Sequence, residues 1–440
     1  MTLSRDSAGF LRLGGASLAE VAAVTGTPAY VYDLDAMAAG ARALKAAFDG
    51  RQHLVAYATK ANTAGAVVKT FAAEGCGADV VSGAELSVAL ACGVFPDDVV
   101  YNGVAKLDAE IDLAIASGPR GIGAIFVESV EEIARIAARA AAAGRVARVG
   151  IRVNPSLDLA GATHAHIATG HDKAKFGVPR ADAARAVELV ETSPHLELAG
   201  MTSHVGSHFA STQPYVDSAR VLFGLVQSLR AAGRLKTLRF VDTGGGFGVD
   251  YLHGNFEGVV DPMPPPSDSV RAARAAQREF GLDDLALFVE PGRCLVAAHG
   301  VLLASVVQTK SAATARWLMI DAGMNDLIRP ALYQAFHRVV ALVDAAGGPD
   351  AAPPVSWRVV GPICESSDDF GEHVLPLDLP LARPAQVAIL DAGAYGFTMA
   401  SAYNGRQLPV EAFLRGGRVV AQTRRPAVQA WVEERVRAGG

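Results

Sequence analysis

The chain has 440 residues, 50% of them hydrophobic, and a formal net charge of −5. That length can bury two or three domain cores, or one large barrel and a smaller domain. There is no dense Lys/Arg tract to read nucleic acid, and no run of about 18 apolar residues free of charges and turn residues, so neither nucleic acid nor a membrane is expected as a partner.

The first residues, MTLSRDSAGFLRLGG, lack the charged-then-apolar pattern of an export signal. Cys76, Cys92, Cys294 and Cys364 are too widely spaced for a metal pattern or a small disulfide framework. A reduced cytoplasm is the expected location.

The first strand-like run is Ala29 to Tyr32. From residue 53 onward strand-like and helix-like patterns alternate. Apolar runs end near Thr59, Val81, Tyr101, Val127, Val153, His204, Asp242 and Glu290. Alanine-rich stretches with helical spacing lie between them, as at 83–92, 129–143 and 214–231. Alternation of this kind argues for parallel βα units, and about eight of them over roughly 240 residues is the size of a (β/α)₈ barrel. An open doubly wound sheet, the alternative, usually has fewer strands.

After residue 295 short apolar or β-branched runs at 301–307, 316–320, 357–360 and 386–390 suggest a separate all-β domain. The expected division is a barrel over 36–294 and a β domain built from 1–35 and 295–440. The stretches 154–177 and 250–268 read as long loops, and 416–440 as a strand followed by a polar helix.

In such barrels the chemistry collects at the C-terminal ends of the strands. Those ends carry Lys60, Asp79, Asn102, Arg152, His204, the run GGGFG at 244–248 and EPGR at 290–293. Taken alone, Lys60 is an ordinary surface lysine and His204 an ordinary core histidine. The glycine run changes that reading. Successive glycines late in a barrel let backbone N–H groups close on a phosphate. The glycines of GPRGIGA at 118–124 read as an ordinary loop.

A lysine opposite a phosphate cradle points to pyridoxal 5′-phosphate, held as a Schiff base. Glu290 is then placed to pair with the ring nitrogen and His204 to stack on the ring. His164, His166 and His171 have a spacing conceivable for zinc, but no acid or cysteine completes the set locally, and they are read as a polar loop.

With these residues in view, the chain resembles the diaminopimelate decarboxylases, pyridoxal-phosphate enzymes with an alanine-racemase-like barrel and a C-terminal β domain. The resemblance runs from about 28 to 415. It rests on YATKAN (57–62), GADVVSGAEL (77–86), IRVNPSLD (151–158), HIATG and KAKFGV (166–178), HVGSH (204–208), GGGFG, EPGR, GMNDLIRPALY (323–333), GPICESSD (361–368) and DAGAYG (391–396).

The resemblance implies roles residue by residue. Lys60 carries the cofactor and Asp79 supports it. Gly245, Gly246 and the EPGR backbone at Gly292 and Arg293 hold the phosphate, with Tyr395 as a further donor. Arg293, Arg329 and Tyr333, with Tyr395, bind substrate, Glu365 takes the distal ammonium, and Cys364 delivers a proton. The CES segment of this family crosses from a neighbouring subunit, which implies a homodimer.

The implied reaction is decarboxylation of meso-2,6-diaminopimelate to L-lysine, the last step of lysine biosynthesis. An acid beside candidate arginines suits a substrate whose far end carries both an ammonium and a carboxylate. One departure is His208, where the family usually has glutamine. It leaves open the alternative of a related decarboxylase for another basic amino acid, or for a carrier-bound or siderophore precursor. GPICESSD argues against a racemase, and the presence of both Lys60 and Cys364 against a silent regulatory relative.

Overall fold

The structure, a computed structural model, describes residues 3–157, 174–252, 262–343, 354–379 and 385–437. The chain divides into two units: Ala38–Val249 with Met263–Cys294, and Met1–Met37 with Asp250–Pro262 and Leu295–Gly440.

The first unit is a closed parallel barrel. Its strands are β1 (His53–Ala58), β2 (Gly77–Val80), β3 (Val99–Tyr101), β4 (Ala124–Val127), β5 (Ala147–Asn154), β6 (Leu196–Thr202), β7 (Phe240–Asp242) and β8 (Ala286–Val289). Each pairs in parallel with the next, and β8 returns to β1 through Leu287 opposite His53, which closes the ring. Most of these strands are buried from end to end, as expected for parallel strands covered on both faces, so they read as continuous apolar runs.

The predicted helical stretches are the helices Gly83–Ala91, Val130–Ala142 and Gln213–Ala231. Ser82 and Ser129 cap the first two by accepting from the N–H groups of Glu85 and Glu132. Val130–Ala142 buries Ile133, Ile136 and Ala140, spaced three and four apart as an inward stripe requires.

The barrel interior is filled by rings. Phe126 meets Phe240 edge to face at 6.1 Å, and Phe240 stacks on Phe288 at 4.0 Å. Gly150 and Gly200 make room for them: a Cβ on either would lie 2.3 Å or less from Phe126 or Phe240.

The second unit is built around a long sheet. Ala29–Asp33 lies between Gly300–Ser311, antiparallel to it, and Val410–Arg415, parallel to it. The sheet continues through Arg316–Ile320, Pro354–Val360 and Asp369–Pro376 on one side and Arg418–Gln422 on the other. Its core gathers Leu11, Leu13 and Leu18 from the N-terminal segment with Val31, Leu303, Leu390 and Leu414. The N-terminal segment therefore belongs to this sheet unit, and it adds a helix, Leu18–Thr25, to it.

Asp369–Pro376 escapes the reading of the sequence because residue type does not follow burial along it: polar His373 faces inward and apolar Val374 faces solvent. Of the two expected loops, 158–173 and 253–261 lie outside the described residues. The second loop ends earlier than expected, because Pro266 opens the helix Pro266–Glu279, where its missing N–H costs nothing. The closing strand and polar helix are Arg418–Gln422 and Val428–Arg437. Among the described residues, no helix is long and apolar enough to cross a membrane.

Candidate active site

The chemistry-bearing residues of the barrel gather at one end because the strands are parallel and each leaves the barrel at its C-terminus. Lys60 sits in the tight turn Thr59–Ala61 directly after β1. Its Nζ donates to Asp79 Oδ2 at 2.6 Å, and Asp79, on β2, is fully buried. The turn is pinned locally. Thr59 Oγ1, with one proton to give, lies 2.9 Å from Asp79 O and 2.8 Å from Glu85 Oε2, and the Val81 N–H donates to that same Glu85 oxygen (2.8 Å). Glu85, in the stretch GADVVSGAEL, thus joins the lysine turn to the aspartate strand.

Asn102 follows β3 and is buried. Its Nδ2 donates to Asp79 Oδ1 at 2.9 Å and to Glu290 Oε1 at 2.5 Å. A continuous hydrogen-bonded line therefore runs from Lys60 through Asp79 and Asn102 to Glu290, just beyond β8. Asp242, at the end of β7, is a second buried acid next to Glu290. Burial is the main reason both carboxyls titrate above their ordinary range, and Asp79 adds to the shift of each.

His204 follows β6. Its Nδ1 accepts the Gly245 N–H at 3.2 Å, so its ring proton sits on Nε2. Burial, then Arg152 and Lys60, hold its pKa well below the usual imidazole value, and the ring is neutral. Arg152 itself pairs with Glu128 (3.0 Å), both buried, and lies over the Phe176 ring.

The glycine run is sterically obligatory. A Cβ on Gly244 would lie 2.5 Å from His204 Nδ1, one on Gly245 2.1 Å from Glu290 O, and one on Gly246 2.4 Å from Gly206 O. Gly246 also has φ +98°, where a side chain is strained. The loops after β6 and β7 are stitched together: the Phe209 N–H donates to Gly246 O (3.1 Å) and the Val249 N–H to His208 Nδ1 (3.5 Å). His208 itself has φ +67°. The EPGR turn packs on β1, where Ala58 N–H donates to Pro291 O (3.0 Å) and Gly292 lies against Ala58. Arg293 Nη2 donates to Ser207 Oγ at 3.2 Å.

The remaining predicted residues belong to the sheet unit and form two groups there. Arg329 is buried. Its Nε donates to His337 Nε2 (3.1 Å), and its guanidinium lies over the rings of Tyr251 (5.1 Å) and Tyr333 (5.9 Å). His337 Nδ1 bonds Leu390 O at 2.9 Å, which sets the tautomer that accepts from Arg329. Cys364 and Glu365 are exposed. Their loop is anchored by buried Asp368, which accepts from Met324 N (2.6 Å) and Ile363 N (2.7 Å), and by the Cys364 N–H donating to Asn404 (3.0 Å). Tyr403 hydrogen-bonds Glu365, and that carboxylate raises the phenol's pKa. Tyr395 is half-buried with φ +55° in the loop DAGAYG.

Asn102 and Arg152 were visible as strand ends without a role. Glu85 and Ser207 lie inside the stretches GADVVSGAEL and HVGSH and Asp242 ends an apolar run, but no sequence signal assigned any of the three a role. Among the described residues no group of His, Cys, Asp and Glu could hold a metal ion, and His164, His166 and His171 lie outside those residues.

The donor set suits a pyridoxal group. It offers an amine on a buried carboxylate, a deep acid for a ring nitrogen, a flat neutral imidazole and a glycine cradle that no side chain could replace. This class is borne out by comparison: residues 34–297 match the pyridoxal-binding domain of the pyridoxal-dependent decarboxylases. Relatives in Zymomonas mobilis (38% identical, covering 94% of this chain and 93% of theirs) and Pseudomonas aeruginosa (40%, 94% of each) are diaminopimelate decarboxylases. The solved diaminopimelate decarboxylase of Helicobacter pylori, complexed with L-lysine, has a TM-score of 0.85 at 34% identity, covering 95% of this chain and 99% of its own. That of M. jannaschii has a TM-score of 0.88 at 30% identity, covering 98% and 97%. The chain belongs to the diaminopimelate decarboxylase family of pyridoxal-dependent decarboxylases.

Proposed function

We propose that this chain decarboxylates meso-2,6-diaminopimelate to L-lysine and CO₂ with pyridoxal 5′-phosphate, the closing step of lysine biosynthesis in the cytoplasm. The observation that carries the reading is the hydrogen-bonded line Lys60–Asp79–Asn102–Glu290 at the mouth of a barrel whose relatives share this activity. The L-lysine complex of the H. pylori relative supports the choice of product.

When bound, the cofactor supplies an electron sink for the charge left by departing CO₂. The chain's residues do the rest. Lys60 holds the cofactor through its amine. Asp79, whose Oδ2 accepts from that amine at 2.6 Å, fixes its position. Glu290 would pair with the ring nitrogen, where a carboxylate stabilises the protonated form. His204 presents a neutral ring face, so it adds no competing positive charge. The backbone at Gly245, Gly246, Gly292 and Arg293, with Tyr395, takes the phosphate.

Arg329 and Tyr333 take the distal carboxylate and Glu365 the distal ammonium. That combination favours diaminopimelate over lysine or ornithine, since only diaminopimelate has a distal carboxylate for a guanidinium to bind in a bidentate contact. Cys364 returns a proton to the α-carbon. Its exposure, with Glu365 and Ser366, supports a homodimer in which this segment serves a second copy.

The test is purified protein with pyridoxal phosphate and meso-diaminopimelate, followed by CO₂ release and L-lysine formation, with L-lysine and L-ornithine as competing substrates. Lysine formed from diaminopimelate alone supports the reading. Lys60→Ala is expected to lose the visible absorbance of the lysine-bound cofactor and nearly all turnover. An unchanged spectrum in that variant sinks the assignment of Lys60.

A further inference from the structure

We infer that Asn102 is a positioning residue for the reaction: its single side-chain amide fixes Asp79 and Glu290 relative to one another and sets how readily Glu290 gives up its proton. The inference rests on the proposed reading in which Lys60 and Glu290 hold opposite ends of the cofactor.

The geometry is specific. An amide NH₂ carries two hydrogens and no titratable proton. Here one is given to Asp79 Oδ1 (2.9 Å) and the other to Glu290 Oε1 (2.5 Å), with all three side chains buried. The other Asp79 oxygen holds Lys60 Nζ at 2.6 Å. Two carboxyl groups from β2 and the end of β8 are thereby joined by a donor that is present at every pH. Had an acid stood at 102, the three carboxyls would compete for protons. Had an apolar residue stood there, both oxygens would be buried without this donor.

The charged groups facing Glu290 come from most of the barrel. Asp242 at the end of β7 and Asp79 on β2 oppose its ionisation, as does burial. Lys60 after β1 and Arg152 on β5 favour it. His204 after β6 is neutral. A hydrogen bond donated to a carboxylate favours the ionised form, so Asn102 acts on the side of Lys60 and Arg152. Burial, Asp242 and Asp79 push Glu290 toward its protonated form, and Lys60, Arg152 and the Asn102 amide oppose that push.

The experiment uses the cofactor-free protein. The infrared carbonyl band of the protonated Glu290 side chain is identified by its loss in Glu290→Gln and titrated with pH in the parent protein and in Asn102→Ala. Losing one charge-assisted hydrogen bond is expected to move the midpoint up by about one pH unit. Pyridoxal phosphate affinity, read from visible absorbance, is expected to fall about tenfold. Should Asn102→Ala not fold, Asn102→Ser, with one donor for two acceptors, is expected to raise the midpoint by less. An unmoved midpoint in a folded variant overturns the inference, even if that variant melts at a lower temperature. A shifted midpoint in a chain that releases no CO₂ keeps the role of Asn102 and overturns the proposed function instead.

Discussion

Gly245→Ala isolates the contribution of backbone contact to the site. The added methyl would lie 2.1 Å from Glu290 O and 2.9 Å from its carbonyl carbon. Restoring an ordinary contact of 3.4 Å requires the loops after β7 and β8 to part by about 1.3 Å. No rotamer change can relieve this, because both partners are backbone. The same seam holds the hydrogen bond from Glu290 N–H to Gly244 O at 2.7 Å, which the displacement would stretch. Overpacking typically costs about 1–3 kcal/mol, and a backbone collision belongs at the upper end of that range.

The displacement moves the residue that holds Glu290, and misplacements of about 1 Å cost on the order of 100-fold in rate. The assays are absorbance titration with pyridoxal phosphate, steady-state CO₂ release and thermal unfolding. The expected result is at least roughly tenfold weaker cofactor binding and a lower melting temperature in a folded protein. Gly224→Ala is the matched control. It lies inside the helix Gln213–Ala231, its nearest neighbour is Phe280 at 3.4 Å, and it is expected to stabilise by about 0.5–1 kcal/mol without touching cofactor affinity. Parent-like cofactor affinity and stability in Gly245→Ala would refute the steric argument.

Three further outcomes follow from the same geometry. Cys364→Ala is expected to keep bound cofactor while slowing product formation on the order of 100-fold, the lower end of the range for a lost general acid; full activity by CO₂ release removes its acid role. Arg329→Ala is expected to raise KM for diaminopimelate on the order of 100-fold with the cofactor spectrum intact, since a bidentate carboxylate contact is lost; unchanged kinetics would exclude it from the substrate site. Glu411, which accepts from the Tyr32 hydroxyl at 3.0 Å, is pushed by burial from 4.5 up to about 7. A carboxyl raised on folding adds stability below pH 4.5 and loses it as pH climbs through 7. A gap of 2.5 pH units at about 1.36 kcal/mol each caps the effect near 3 kcal/mol. Glu411→Gln should therefore gain about 2 kcal/mol on the parent between pH 5 and pH 8.5 in urea unfolding, and a pH-independent difference contradicts the assignment.

The barrel was legible because parallel strands buried on both faces leave unbroken apolar runs. The ends of those runs located Lys60, Asp79, His204 and Glu290 to within a residue or two. The sheet unit was harder to read. Asp369–Pro376 carries a glycine and a proline and buries His373 while exposing Val374, and Val410–Arg415 gains its place by pairing with Ala29–Asp33, nearly four hundred residues earlier.

Within the site, residue type announced only those groups whose chemistry is unusual for their position, such as a lysine at the mouth of a buried strand or three consecutive glycines. Asn102, Asp242 and Glu85 are ordinary residue types, and only closure of the ring sets Asn102 between Asp79 and Glu290. The local sequence by itself determined the strands, the turns and the reactive side chains, since these depend on near neighbours and on periodic burial. The tertiary structure alone decided which hydrogen bonds link them and which carboxyls burial pushes above their ordinary range. Hydrogen bonding and desolvation act over a few ångströms in space, between residues that lie far apart along the chain.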